Sequence, residues 1–293
     1  MGAAAVAMQT SVAEMTNPIL ERLTPALAAV PGVAAIVLGG SRARGTARPH
    51  SDTDIGLYYR RGEEPAAARL REALRSLVDD PVAAVVTEVG EWGPWIVGGA
   101  WLSIGGKKVD LLYRCVEAVA EVVRACRGGD VRMDYQPGHP HGFCSAIWMG
   151  EVALCRPLHD PDGALAALKA MTDPYPDPLR QALIRRFLWE VLFSIENGEI
   201  AVARGDQTHV AGCAYRALCC VGQVLFALNR RYLINEKGAL DEASGFPVTI
   251  PRLDARASTV WQAIGRPDFR DSFDELRAMH GELKALAGND SPA

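Results

Sequence analysis

Leu38-Gly39-Gly40-Ser41-Arg42-Ala43-Arg44-Gly45, followed by Ser51-Asp52-Thr53-Asp54-Ile55-Gly56, decides how this chain reads. The run Val33 to Leu38 is short, continuous and apolar, and glycines bound it. That pattern marks a buried strand. Thr53 to Tyr59 predicts a second strand, closed by Arg60-Arg61-Gly62. Between them, two glycines let the backbone approach a ligand with no Cβ in the way. Ser41 then offers a hydroxyl and an N–H at the start of a short helix, a seat for phosphate. Asp52 and Asp54 stand at i and i+2, so their side chains share one face of the strand. Carboxylates beside a phosphate seat supply the oxygen ligands that Mg²⁺ prefers. A third acid, Asp110, interrupts the apolar strand Val109-Asp110-Leu111-Leu112. An acid there is costly unless a cation or strong partner meets it. Three carboxylates around two Mg²⁺ ions suit in-line displacement at phosphorus, one ion activating a hydroxyl and the other steadying pyrophosphate.

Working outward, residues 18–30 predict a helix stopped by Pro31-Gly32. Glu64 to Val78 predicts another, with Leu70, Leu74 and Leu77 on one side, and Val82 to Val89 a third strand. Ala100 to Ile104 and Lys107 to Tyr113 flank Gly105-Gly106 and predict a β-hairpin. Residues 1–127 are therefore expected to form a mixed α/β (α+β) domain around a small sheet. Residues 128–177 are rich in Gly, Pro and His and read as a connector, with short helices near Ala146 to Leu154 and Asp162 to Met171. Beyond Pro178, Leu179, Leu183, Phe187, Val191 and Ile195 recur every four residues. Ala214, Leu218, Val221, Leu225 and Leu228 recur at three or four, and further helices are expected near Ala255 to Ile264 and Asp271 to Leu286. Residues 178–293 thus predict an all-α bundle.

Composition narrows the class. With 49% hydrophobic and 23% charged residues over 293 positions, the chain has the make-up of a folded globular protein. No run reaches the roughly 18 apolar residues that a spanning helix needs. Met1 to Met15 is Ala-rich but lacks the Lys or Arg of a secretory leader, which predicts a cytoplasmic protein without a membrane partner. Lys and Arg number 31 against 35 Asp and Glu. A protein gripping a long polynucleotide needs a basic excess, so long nucleic acid is not the expected partner. The 7 cysteines include no CxxC pair and read as reduced thiols.

Gly39-Gly40-Ser41, Asp52-Thr53-Asp54 and Asp110 together resemble the polymerase-β-like nucleotidyltransferase superfamily. The similarity is to its small bacterial branch, which includes aminoglycoside and lincosamide nucleotidyltransferases and minimal nucleotidyltransferases. The motif spans residues 33–114. The second half resembles that branch more loosely, through Arg204-Gly205-Asp206 and Phe226 to Tyr232 with Glu236-Lys237. The resemblance implies that Gly40 and Ser41 hold the β- and γ-phosphates of an NTP, with Gly39 in the same nucleotide-binding turn and ATP as the expected substrate. It implies that Asp52 and Asp54 bind both metals, and that Asp110 binds the catalytic one and takes the acceptor proton. Arg42, Arg44 and Lys237 are read as further phosphate contacts, since guanidinium and ammonium groups suit phosphate. The expected reaction is NMP transfer to a hydroxyl with release of pyrophosphate.

The acceptor lies outside the motif. Residues 151–293 hold 16 Lys and Arg against 19 Asp and Glu, which favours a neutral or cationic hydroxylated small molecule over RNA. A protein or RNA acceptor of toxin–antitoxin type, or a non-catalytic nucleotide-binding regulator, are the alternatives. Glu190 reads as a partner for Arg186 one turn back rather than a base. His139, His141 and Cys144 read as part of the connector rather than a zinc site. Arg204 and His209 have the spacing of some helical ribonucleases, but Gly205-Asp206 reads as a helix break and N-cap. Trp92, Trp95 and Trp101 read as loop-and-strand core packing in preference to the lining of a pocket.

Overall fold

The computed structural model describes residues 17–266 and 269–289. The Ala-rich start, Met1 to Met15, lies outside them. The first elements are α1 (Pro18–Ala28), β1 (Val33–Leu38), α2 (Gly40–Arg44), β2 (Thr53–Tyr59), α3 (Ala67–Leu74) and β3 (Val85–Val86). They are followed by β4 (Gly99–Ile104), β5 (Lys107–Cys115), α4 (Val116–Arg127), β6 (Met133–Asp134), β7 (Phe143–Cys144), α5 (Ala146–Leu154), β8 (Arg156–His159) and α6 (Ala164–Ala170). The remainder is helical: α7 (Asp177–Val202), α8 (Gln207–Leu228), α9 (Ala239–Ser244), α10 (Leu253–Ile264) and α11 (Arg270–Asn289).

The chain divides into two compact units. One comprises the described residues up to Arg124, with Gln136–Gly138 and Trp148–Asp173; the other comprises Ala125–Tyr135, His139–Ile147 and the described residues from Pro174 onward. The stretch read as a connector, 128–177, is thus shared between both. It supplies β8 to the sheet of the first unit and the β6–β7 pair to the second.

The first unit is a mixed sheet of six strands in the order β3-β4-β5-β2-β1-β8. Only β2 and β5 run parallel. Alternation along the strands separates two faces. Ile36, Leu38, Ile55, Leu57, Leu111 and Tyr113 point to one side and pack with Leu20, Leu23 and Leu27 of α1 and Leu70 and Leu74 of α3. Each leucine buried there contributes about 1.5–3 kcal/mol. Asn17 caps α1 by accepting the Ile19 N–H at 3.0 Å, and Pro18 occupies the first turn, where its missing N–H costs nothing. The other face is closed at one end, where Tyr58 and Arg114 are each 2% exposed, and open at the end that carries Asp54, Asp110 and Trp101.

The hairpin forms as expected, with Ile104 opposite Lys107. Gly105 and Gly106 have φ of 60° and 70°, the two positive values that a tight primed turn demands. Asp79 fastens this turn, accepting both glycine N–H groups at 2.7 and 2.9 Å and the Ser103 hydroxyl at 2.6 Å. The strand expected over Val82 to Val89 shrinks to Val85–Val86. The Asp80 carboxylate accepts the N–H groups of Val82 and Ala83, and this local turn competes with the ladder.

In the second unit α7 and α8 pack along each other, and α11 crosses α7 closely at Gly198, where a Cβ would fall 2.1 Å from the Phe273 ring. Asp206 caps α8 by accepting the His209 N–H at 3.1 Å. Among the described residues, α8 alone has the length and apolarity of a membrane span, yet 67% of its apolar window is buried in the protein. It is a core helix.

Candidate active site

The site is built where β1 turns into β2. Gly39 prolongs the β1–β2 ladder by donating its N–H to the Asp54 carbonyl at 2.8 Å. Gly40 then adopts φ 58°. A Cβ on Gly40 would stand 1.8 Å from Asp54 Oδ2, so the carboxylate rests directly against the glycine backbone. Ser41 lies in the one-turn helix α2, which ends at Gly45 in the left-handed conformation, and the Thr46 N–H donates to the Ser41 carbonyl at 3.0 Å.

The loop leading to β2 is tied back by Arg42. Its Nε donates to the Asp52 carbonyl at 3.1 Å and its Nη2 to the Ser51 carbonyl at 2.7 Å. Its guanidinium thereby fixes the chain that delivers Asp52 and Asp54. Arg44 is half-buried in the same turn. Lys237 is exposed and belongs to the helical unit, where its N–H donates to Asn235 Oδ1 at 2.8 Å.

Asp54 and Asp110 are direct partners in the parallel β2–β5 register. They therefore share one face on strands about 4.8 Å apart. Both are half-buried, whereas Asp52 is exposed one residue before the strand begins. Among the described residues no three His, Cys, Asp or Glu side chains form a metal cage. The Asp54–Asp110 pair, with Asp52 at its margin, still fits Mg²⁺ by donor chemistry. That ion keeps several waters and takes one or two carboxylates, with substrate phosphates as the other ligands.

Trp101 lies opposite Asp110 across the β4–β5 hairpin, is 54% exposed, and stacks on Trp92 at 4.5 Å between ring centroids. It is a wall beside the third acid, not core as expected. Trp95 is core, 4% exposed and edge-on to Trp148. The hairpin register was the means of finding Trp101: with Gly105-Gly106 as the turn, residue 101 must face residue 110.

Other candidate groups lie in the helical unit. Glu190 accepts from Arg186 Nε at 3.1 Å and also pairs with Arg216, so it acts in an ion-paired cluster. Buried Cys144 sits in β7, and burial pushes its thiol up to about 12. His139 Nδ1 stands 3.7 Å from Glu236 Oε2.

One prediction arises from the turn itself. Gly40→Ala places a methyl into the Asp54 carboxylate and strains a left-handed residue by about 1–3 kcal/mol. Turnover should fall by roughly 100-fold, because the acid and the glycine backbone against it both shift. Steady-state kinetics beside a melting curve measures both effects.

Residues 20–115 match the family model described as a nucleotidyltransferase domain. Residues 149–237 match a domain of unknown function, DUF4037. No curated protein matches this chain. Among solved structures, it is similar to a nucleotidyltransferase-like protein from Exiguobacterium sibiricum 255-15 at 12% identity, over 91% of this chain and 72% of that one, with a TM-score of 0.38. That likeness is too distant to carry any residue's role across. The match over 20–115 takes in the glycine turn, Asp52, Asp54 and Asp110, and this stretch of the chain is a nucleotidyltransferase domain of the polymerase-β-like superfamily.

Proposed function

We propose that this nucleotidyltransferase transfers NMP, from ATP as the preferred donor, to a hydroxyl of a small-molecule acceptor. The observation that carries the reading is the Asp54–Asp110 pair, aligned across parallel strands with Gly40 packed on Asp54. The backbone of Gly39 and Gly40 and the hydroxyl of Ser41 would hold the β- and γ-phosphates, with Arg44 in reach of the same turn. Asp52, Asp54 and Asp110 would hold Mg²⁺, which supplies charge neutralisation at the phosphates and lowers the pKa of the attacking hydroxyl. Asp110 accepts the hydroxyl proton as the acceptor oxygen forms its bond to the α-phosphorus. The bond from that phosphorus to the β-bridging oxygen breaks, and pyrophosphate leaves with the electron pair.

The Trp101–Trp92 stack beside Asp110 supports a compact acceptor with a flat or sugar-like face. The charge balance of residues 151–293, 16 Lys and Arg against 19 Asp and Glu, supports a neutral or cationic one. Seven free thiols support action in a reducing compartment such as the cytoplasm. The test is incubation with labelled ATP, GTP, CTP and UTP in the presence of hydroxylated antibiotics, total RNA and cell lysate. Label on a small molecule with ATP preferred is the expected result; label confined to RNA or to a protein band overturns it. Trp101→Ala should raise the acceptor KM by roughly 10-fold, the worth of one aromatic stack, with the ATP KM unchanged.

A further inference from the structure

We propose that the helical unit contains a second ligand site, selective for a small organic amine with an apolar, ring-sized body and one protonated nitrogen. The inference is independent of the reading of Asp54 and Asp110. The site is a cavity of about 130 Å³ whose lining residues all belong to the helical unit. A cavity of about 150 Å³ accommodates benzene, so this one holds a single six-membered ring. Its walls are mainly apolar, with Leu218, Leu233 and Leu240, and Trp261 is 42% exposed, a face on which a ring or a cation can stack.

One carboxylate, Glu236, lines this cavity, and no lysine or arginine does. Three contacts that other residues make to its oxygens are long. Oε1 accepts from the His141 N–H and from the Tyr215 hydroxyl, both at 3.5 Å, and Oε2 is 3.7 Å from His139 Nδ1. Charge-assisted hydrogen bonds to a carboxylate run at about 2.7–2.9 Å, so Glu236 retains its capacity for a strong donor. It is also firmly anionic. Burial pushes its carboxyl up, but His139 and backbone N–H groups outweigh that and hold it at about 2. His141, which also lines the cavity and is 4% exposed, adds no positive charge to its wall. Burial first, and Arg216 second, lower its pKa to about 4, so the ring is neutral at pH 7. The cavity therefore presents an apolar body site beside an anionic carboxylate that has His139 and backbone N–H groups near it but no lysine or arginine in the cavity wall. An ammonium completes it, and a second carboxylate is repelled.

Calorimetric titration of the full chain with three near-isosteric probes tests this: 2-phenylethylamine, 2-phenylethanol and 3-phenylpropionate. The amine should bind at least about 10-fold tighter than the alcohol, and the carboxylate weakest. Glu236→Gln should erase the amine's advantage and leave alcohol binding within about threefold. Leu240→Trp, which fills the cavity without touching the charge, should weaken all three by about 10-fold or more, and it serves alone if the Glu236 variant does not fold. Carboxylate binding equal to amine binding, no saturable binding of any probe, or amine binding untouched by Leu240→Trp overturns the proposal.

Discussion

Asp54→Asn is expected to abolish NMP transfer, with kcat lower by about 1,000-fold or more, while the protein stays folded. The substitution keeps the shape that packs against Gly40 and removes one negative charge from a pair aligned on neighbouring strands. Two like charges about 5 Å apart repel each other, so without Mg²⁺ the variant should melt at the same temperature or a few degrees higher. With Mg²⁺ and ATP the order should reverse, because wild type gains stability from the ligands and the variant gains little. Asp110→Asn separates binding from chemistry. It should retain ATP affinity within a few-fold, since the glycine turn, Asp52 and Asp54 remain, and lose turnover because the acceptor proton has no base. Fluorimetric melting with and without EDTA, beside an assay of pyrophosphate release, distinguishes these outcomes. Near-normal turnover in either variant would falsify the assignment of the Asp54–Asp110 face.

The turn from β1 to β2 was legible in sequence because everything needed lies within about 25 consecutive residues. An apolar run, two glycines and an acid-x-acid pair constrain one another locally. What joins Asp54 to Asp110 is less visible, because β2 and β5 pair in parallel across more than 50 residues. Parallel partners are set by the packing of the whole sheet, not by a turn. The edge strand β8 was hidden for a different reason. Arg156-Pro157-Leu158-His159 has neither apolar alternation nor β-branched residues, and its proline pairs with Val37 in a place only an edge strand permits.

Arg42 has a second role that its charge alone does not display. An arginine two residues after the glycine turn suggests an anion contact. Two of its hydrogen bonds go to the carbonyls of Ser51 and Asp52, whose positions depend on how the loop closes. Trp101 shows the converse. Its exposure follows from strand alternation, since Leu102 and Ile104 point inward and Trp101 and Ser103 do not.

Glu151→Gln is expected to be the most destabilising conservative change in the α/β domain. Arg114, four residues beyond Asp110 on the same face of β5, closes the far end of that face. Its side chain is 2% exposed, and Nε and Nη2 donate to the two oxygens of Glu151 at 2.8 and 2.9 Å. Nη1 donates to the Tyr113 carbonyl at 2.9 Å, and the guanidinium lies over the Trp148 ring at 5.7 Å. Burial alone would lower the Arg114 pKa, yet Glu151 holds it above its ordinary value, so the cation survives in an apolar setting. Removing the anion leaves a buried charge uncompensated, at a cost of about 3–5 kcal/mol. For a domain of this size the melting temperature should fall on the order of 10 °C. Replacing both partners, as in Arg114→Met with Glu151→Leu, should recover most of that loss, because no charge is then left without its counterion. Both variants should keep near-normal kcat well below their melting points, since neither residue meets the glycine turn or the acid pair. A loss of kcat at 15 °C in the stable double variant would instead show that Arg114 positions Asp110 through β5.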